Sequence, residues 1–232
     1  LNASGNLAWV KTIGSFGSDD IGISVACDPS DNVLVTGYFQ GSNVNFDVGA
    51  SNFLLSASGG TKDVFVLKLN TVGNFSWAFN LGSSTASTAD VGQTIKCDGS
   101  GNVYVGGYFN NTVDFDPGLG NATIFCPAGS SDAFVAKYST SGAYIWAKSF
   151  GGNSDDVCYG LSIDPSGDVH SIGTFKGAGD FDRHFDLSDV EGHLADLDSL
   201  RAGQFRARDV IDRPGRQVDR SGAGDANLAS KL

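Results

Sequence analysis

The sequence contains no methionine and a single glutamate, Glu191, so two common helix-forming residues are almost absent. Charged residues make up only 18% of the chain, and no run of 18 apolar residues occurs. The scarcity of methionine and glutamate disfavours a helical protein. The lack of a long apolar run excludes insertion into a membrane as an apolar helix. Because methionine is absent, the natural start is expected to be missing and the chain to be a fragment; no signal peptide is visible, but a fragment would have lost one.

Arginine is absent from residues 1–182, which carry 17 Asp against 7 Lys and a net charge of −10. All seven arginines fall in residues 183–232, where acids and bases nearly balance. A domain this acidic repels phosphate backbones, which disfavours nucleic acid as a partner. The break in composition predicts a degenerate repeat, a disordered tail or the product of a shifted reading frame after residue 182.

Glycine, with 32 residues, and repeated sequence blocks are what the chain has in excess. DPSDNVLVTGYF begins at Asp28, DGSGNVYVGGYF at Asp98 and DPSGDVHSIGTF at Asp164, which are 70 and 66 residues apart. A period of this length indicates a repeat architecture. The chain opens inside a repeat, because LNASGNLAWVKTIG at Leu1 matches LNTVGNFSWAFNLG at Leu69.

Each repeat is predicted to supply four strands. The first two, such as IGISVAC and NVLVTGYF, are joined by a short turn; the third carries the pattern DxFVxK and the fourth contains tryptophan. Strict alternation in DVFVLKLN predicts a third strand with two differently exposed faces. The insert NNTVDFDPGLGNATIFCPAGSS, between strands two and three, is predicted to form its own short hairpin.

This pattern predicts an all-β fold: a β-propeller fragment of about three four-stranded antiparallel blades with a degenerate C-terminal segment. A series of β-sandwiches is the alternative, but a unit of about 68 residues with four strands falls short of the seven that a sandwich needs. The predicted units are a partial blade at 1–20, blades at 21–82 and 91–151, a blade from 157 to 182 and onward, and the degenerate or disordered segment 183–232.

Several residues recur at one repeat position and are predicted to serve packing. Tryptophans and phenylalanines are expected between units, and glycines are expected to permit a bulge or a close approach of strands. These residues are Trp9, Trp77 and Trp146; Phe39, Phe109 and Phe175; and Gly37, Gly107 and Gly173. His170 stands where the other repeats have leucine and tyrosine, and it is also predicted to be a packing residue.

The four cysteines, Cys27, Cys97, Cys126 and Cys158, form no CxxC pair and have no histidine at metal-binding spacing. A zinc site is therefore disfavoured. Cys27 and Cys97 share a repeat position at which the third copy has Ile163, which predicts small buried side chains. The sequence allows a disulfide between Cys27 and Cys97 but does not favour one.

Aspartates are predicted to gather at one end of the sheets, because every second connection of an antiparallel unit lies on the same side. Carboxylates suit a hard cation, but their spacing here matches neither an EF-hand nor a nonapeptide calcium loop. The candidate calcium ligands on this acidic loop face are Asp19, Asp20, Asp114, Asp116, Asp155 and Asp156. The alternative is that these are solvated turn residues, and no other cofactor is expected.

No Ser–His–Asp spacing and no nucleophile elbow occurs in the chain. Acids that recur in every repeat are better explained by the repeat than by a unique active site. The sequence therefore predicts no catalytic residues and no enzyme activity.

The order of blocks DxFVxK, GNxxWxK, an acidic loop and DPSGNVYVxGYF resembles the bacterial seven-bladed β-propeller (SBBP) repeat family. The closest variant has GYF followed by FDPG, here Phe115 to Gly118, and the resemblance covers about residues 1–182. The signatures of WD repeats, Kelch repeats and sialidase Asp-boxes are absent. The resemblance implies a secreted or cell-surface bacterial protein with more blades than this chain supplies.

The resemblance also implies a function. The expectation is a non-catalytic extracellular binding or scaffold module whose acidic loop face meets a protein or a glycan. The alternatives are a non-catalysing fragment of a propeller hydrolase or lyase, and a structural spacer of a cell-surface protein.

Overall fold

The computed structural model describes residues 1–176, apart from 16, 48, 50, 85–88 and 128, and the backbone of residues 226–231. The segment 183–232, predicted to be degenerate or disordered, lies outside the described residues except for the backbone of residues 226–231. Within the described part, the chain is all-β, with one short 3-10 turn at Ser58–Gly60 and no α-helix.

Two complete four-stranded antiparallel sheets form, each with a small hairpin between its second and third strands. The first repeat contains β1 (Ile21–Cys27), β2 (Val33–Phe39), β3 (Val44–Asn45), β4 (Leu54–Leu55), β5 (Asp63–Leu69) and β6 (Phe75–Leu81). The second contains β7 (Val91–Cys97), β8 (Val103–Asn110), β9 (Thr112–Asp114), β10 (Thr123–Phe125), β11 (Ser131–Tyr138) and β12 (Tyr144–Phe150). The orders β1-β2-β5-β6 and β7-β8-β11-β12 confirm the four predicted strands, and β9-β10 confirms the predicted hairpin.

A third sheet has three described strands, β13 (Val157–Ile163), β14 (Val169–Phe175) and β15 (Ala226–Lys231), in that order. β15 pairs antiparallel with β14, at the place that the third strand takes in the complete sheets. The sequence analysis assigned residues 183–232 to a degenerate or disordered segment, so it missed this strand. A degenerate sequence pairs here because backbone hydrogen bonds require no particular side chain.

The turn between the first two strands is built by an aspartate in each sheet. In the first, Asp28 Oδ1 accepts hydrogen bonds from the backbone N–H groups of Ser30 and Asn32, both at 2.9 Å. Asp98 and Asp164 make the same pair of bonds in the second and third sheets. An aspartate side chain that accepts bonds from two nearby backbone N–H groups stabilises a tight turn, which explains the aspartate at all three positions.

The repeated glycine of the second strand faces a bulge in the first strand. The pairing of β7 with β8 shifts register between Gly92 and Thr94, and this brings the Val91 carbonyl over Gly107. A Cβ on Gly107 would lie 1.9 Å from the Val91 oxygen. The predicted close approach is therefore confirmed, and it makes glycine obligatory at this position.

Consecutive sheets pack face to face. β7 contacts β1, β2 and β5 of the first sheet, and β13 contacts β7, β8 and β11 of the second. Leu34, Val64 and Val66 from the first sheet share one buried cluster with Ile95 and Val105 from the second. Each such side chain contributes about 1.5–3 kcal/mol on burial. This stacking of four-stranded sheets is the arrangement expected of a propeller fragment.

The third strand of the first sheet, β5, is buried along its whole length, so the prediction of two differently exposed faces is wrong. Val64 and Val66 pack towards the second sheet, and Phe65 and Leu67 pack into a separate cluster on the opposite face. The face that carries Phe65 and Leu67 is covered by the β3–β4 hairpin and by residues 9–13, through Val44, Phe46, Trp9 and Ile13.

The tryptophans lie between units, as predicted, but they are only half-buried. The Trp77 ring lies against Gly142 in a turn of the second sheet, and its Nε1 donates to the Thr140 carbonyl at 3.1 Å. Trp9 lies against Gly73 in the same way. Residues 7–13, however, form no strand, because no third strand is described beside them to supply hydrogen-bond partners.

Candidate functional site

The loop end of the sheets is the candidate site; it comprises the links 14–20, 82–90 and 151–156 and the loops 40–62 and 110–131. One aspartate in each link ties that link to the end of the second strand. These linking aspartates each accept two backbone N–H bonds: Asp20 from Ser15 and Gln40, Asp90 from Ser83 and Asn110, and Asp156 from Gly152 and Lys176. The donor–acceptor distances are 2.6–3.1 Å. The links and loops therefore share one end, as the strand order requires.

The linking aspartates are internal supports rather than surface ligands. Asp90 and Asp156 are fully buried, and Asp20 is half-buried. The interpretation of these positions as solvated turn residues is therefore wrong for Asp156. It failed because the packing of one sheet on the next, which removes the carboxylates from water, does not show in local sequence.

The other candidate calcium ligands are dispersed. Asp114 accepts N–H bonds from Asp116 and Ala122, and thereby closes the β9–β10 hairpin. Asp155 accepts from the Ser131 N–H, and Asp19 is exposed. Among the described residues, no group of three or more His, Cys, Asp or Glu side chains could hold a metal ion. Calcium binding stays a prediction of the sequence.

Two further buried carboxylates, Asp63 and Asp132, lie at the start of the third strands, as the first residue of β5 and the second of β11. The sequence analysis did not single them out. Asp63 Oδ2 accepts bonds from the Ser58 N–H and from Asn80 Nδ2, whereas its Oδ1 is buried without a hydrogen-bond partner. The glycine that follows strand four, Gly82, leaves room for this carboxylate, because a Cβ there would lie 2.1 Å from Oδ1. Recurrence of aspartate at the first position of DxFVxK was the signal that could have found them.

These buried acids have raised pKa values. Desolvation by burial raises the pKa of Asp90 to about 6; the N–H bonds from Ser83 and Asn110 oppose this shift, and the negative charge of Asp63 adds to it. Burial also raises the pKa of Asp63. Neither residue contacts an exposed surface, so the shifts affect the stability of the fold rather than catalysis.

We expect the free energy of unfolding to fall as the pH rises from about 4 to about 6. Since the pKa of Asp90 is higher in the folded chain than its ordinary 3.8, the folded state binds more protons in this window. Asp90 alone accounts for a loss of about 2–3 kcal/mol between these pH values. Urea unfolding at pH 4, 5, 6 and 7 measures the slope, and D90N should reduce it. A stability that rises through this window, or an unchanged slope in D90N, would contradict the assignment.

The opposite end of the sheets carries an ion pair in each of the first two repeats. Lys68 Nζ lies 2.8 Å from Asp28 Oδ2, and both side chains are buried. The equivalent pair of Lys137 with Asp98 is longer, at 3.8 Å. In the third sheet, His170 Nε2 lies 3.5 Å from Asp164 Oδ2. The histidine is half-buried, on the face of β14 that the described residues leave uncovered, so its role as a packing residue stays a prediction.

All four cysteines are free thiols, so no disulfide joins Cys27 to Cys97. Cys27 is exposed and Cys97 half-buried, which corrects the prediction that this position is buried. Cys97 packs at the edge of the core between the first two sheets, whereas Cys27 lies on the face of β1 that the described residues leave uncovered. Burial raises the pKa of both Cys126 and Cys158 to about 12, so neither thiol serves as a nucleophile at neutral pH.

The two hairpins expose apolar side chains at the loop end. Phe53 and Leu54 are exposed at the β3–β4 hairpin, and Leu119 and Phe125 are exposed at the β9–β10 hairpin, where Phe125 keeps 66% of its surface in water. Beneath them, Phe115 is fully buried and anchors the hairpin to the sheet. The hairpins therefore present apolar groups on a rigid support, which is the usual basis of a binding surface.

Comparison with known proteins gives one distant relative. No family model matches the chain. The chain is 28% identical over 161 residues to an uncharacterized WD repeat-containing protein of Acanthamoeba polyphaga mimivirus; the match covers 67% of the chain and 11% of that relative. The chain thus spans about a tenth of the length of the protein it resembles.

The relative and the stacked antiparallel sheets together indicate a β-propeller-like repeat protein. The SBBP family and its FDPG variant find no match in these comparisons. In the described part of the chain, no helix has the length and apolar character needed to cross a bilayer.

Proposed function

We propose that the chain is a non-catalytic binding or scaffold module, extracellular or at the cell surface, whose loop end takes a protein or a glycan. The proposal includes membership of the bacterial repeat family that the sequence resembles and the division of residues 1–182 into repeat units. The WD repeat-containing relative supports a non-catalytic repeat module.

The observation that carries this proposal is that the acidic and the apolar side chains at the loop end have different surroundings. The linking aspartates are engaged by backbone N–H groups, whereas the hairpins hold Leu119 and Phe125 in water. The linking aspartates thus stabilise the fold, and the exposed apolar side chains of the hairpins suit binding to a partner rather than catalysis. Exposed aromatic and aliphatic groups on a firm hairpin can pack on a protein or stack on a sugar ring.

Binding should depend on the β9–β10 hairpin. We expect the double variant L119S/F125S to lose binding to any hit from protein and glycan arrays by about tenfold or more, because exposed apolar anchors dominate such contacts. The matched control is V72S, since Val72 is also exposed but lies in the turn at the opposite end of the sheet. Equal binding by both variants, or an absence of hits with the parent chain, would contradict the proposal; the latter result would favour a structural spacer.

A further inference from the structure

A cavity of about 310 Å³ lies between the β3–β4 hairpin, Lys11 and the turn that joins β5 to β6. Its apolar wall contains Phe46, Leu69 and Phe75, and Lys11 and Asp47 are among its polar groups. Sites for small molecules have volumes from about 300 Å³ upwards and combine an apolar wall with a few polar groups. The cavity therefore has the size and the mixed lining of a site for one small ligand.

The second repeat fills the equivalent place with its own side chains. The two places correspond, because in each of them a tryptophan ring lies on the glycine of the next turn. Three aromatic side chains pack together in the second repeat: Phe79, Tyr138 and Tyr144. The Phe79 and Tyr138 rings have centroids 4.7 Å apart, and the Tyr138 hydroxyl donates to the Phe115 carbonyl at 3.0 Å.

The first repeat has different residues at two of these positions. Lys11 stands where the second repeat has Phe79, and Leu69 stands where it has Tyr138. Lysine has a flexible chain in place of a ring, and leucine is smaller than tyrosine and has no hydroxyl group. The cavity thus results from two differences in side chain between repeats, both at described residues.

The polar groups of the cavity can both donate and accept hydrogen bonds. Asp47 uses Oδ1 to accept from the Gly49 N–H at 2.9 Å, so its Oδ2 can accept a further bond. The ammonium group of Lys11 only donates, whereas the side-chain amide of Asn74, which also lines the cavity, does both. Hydroxyl groups suit this set, because each of them donates one bond and accepts others.

The apolar wall is held in place by neighbouring rings. The half-buried Phe75 ring packs on Phe53, with centroids 4.8 Å apart. Phe46 is buried and packs edge-on against Phe39 at 5.2 Å. Aromatic rings fixed in this way suit the apolar face of another ring. A six-membered ring that carries several hydroxyl groups therefore matches both parts of the lining.

We propose that this cavity binds a single pyranose sugar. The sugar ring packs on Phe75, and its hydroxyl groups form hydrogen bonds with Lys11, Asp47 and Asn74. These residues are separate from the β9–β10 hairpin, so binding in the cavity is independent of binding at that hairpin.

Titration of the parent chain with free sugars tests the proposal. The probes are D-glucose, D-galactose, D-mannose and N-acetyl-D-glucosamine, and binding is followed by amide signals in nuclear magnetic resonance spectra. At least one sugar should bind with a Kd of about 1–10 mM, the affinity expected of a ligand with about 12 non-hydrogen atoms. It should shift the signals of Gly73 and Asn74, which line the cavity. An absence of saturable shifts with all four sugars would overturn the proposal.

Variants that rebuild or weaken the cavity make the test specific. K11F/L69Y restores the aromatic residues of the second repeat and should lower sugar affinity by about tenfold or more, because the new rings occupy the cavity. Its melting temperature should not fall. K11A removes one donor group without filling the cavity and should weaken binding by about fivefold.

The matched control is S76A, because Ser76 is exposed on β6 next to Phe75 but does not line the cavity. This variant should bind sugar as the parent chain does. Circular dichroism checks that each variant folds, and K11A decides the outcome if K11F/L69Y does not fold. Parent-like affinity in K11A, or in a folded K11F/L69Y, would show that the sugar does not bind in this cavity.

Discussion

Replacing Gly107 with alanine should lower the free energy of unfolding by about 3 kcal/mol or more. The added Cβ would lie 1.9 Å from the Val91 carbonyl oxygen, which belongs to backbone held in the β7 bulge and has no freedom to move aside. The melting temperature, followed by circular dichroism, should fall by about 6–12 °C for a chain of this size.

The same chain offers close controls for this substitution. At Gly99, in the turn between β7 and β8, a Cβ would meet no atom within 4 Å, so G99A should change stability by less than about 0.5 kcal/mol. Gly37 and Gly173 face carbonyl oxygens at the same 1.9 Å, and their alanine variants should behave like G107A. If G107A and G99A melted together, the bulge would not be a feature of the folded protein.

Replacing Lys68 with methionine should also cost about 3 kcal/mol or more, because it leaves the Asp28 carboxylate buried without its cation. Burial disfavours the charged form of Asp28, but the ammonium of Lys68 and the hydrogen bonds from Asn32 and Ser30 outweigh it and lower the pKa to about 2. Lys68 also donates to the Thr140 carbonyl of the second sheet at 3.2 Å, so the variant loosens the contact between sheets.

The matched control is K137M in the second sheet. Its partner, Asp98, lies at 3.8 Å and both side chains are more exposed, so the loss should be about 1 kcal/mol or less. A pH series adds a second criterion. Stability from the Asp28 pair is present above its ordinary pKa of 3.8 and is lost as the pH falls towards 2, so the deficit of K68M should shrink in that window. Equal losses in both variants, or a deficit that does not change with pH, would show that the pair contributes nothing specific.

The strands, turns and bulges could be predicted from sequence because local rules determine them. Glycine at position 107 and aspartate at position 98 are demanded by backbone geometry within a few residues or one neighbouring strand. Repetition strengthened each inference, since one interpretation had to fit three copies. The tryptophan-containing strand predicted near the start of the chain does not form at residues 7–13. A strand needs a hydrogen-bonding partner, which local sequence does not supply.

Exposure could not be predicted at the same level. Asp156 is buried and Cys27 is exposed, although sequence favoured the reverse in both cases. Whether a side chain meets water depends on how far the next sheet covers it, and that follows from the stacking offset rather than from residue type. Among the candidate calcium ligands, Asp20 and Asp156 lie in the links at the predicted end of the sheets, but their engagement by backbone N–H groups appears only in three dimensions.

The central claim, that consecutive sheets stack face to face, predicts a contact that one solution measurement detects. A side chain at Gly142 would lie 3.2 Å from the Trp77 ring, so the α protons of Gly142 must lie close to the indole. A nuclear Overhauser spectrum should therefore show cross-peaks between the Trp77 ring protons and the Gly142 α protons, lost in W77L. Their absence in the folded parent chain would contradict the stacking and the interfaces derived from it.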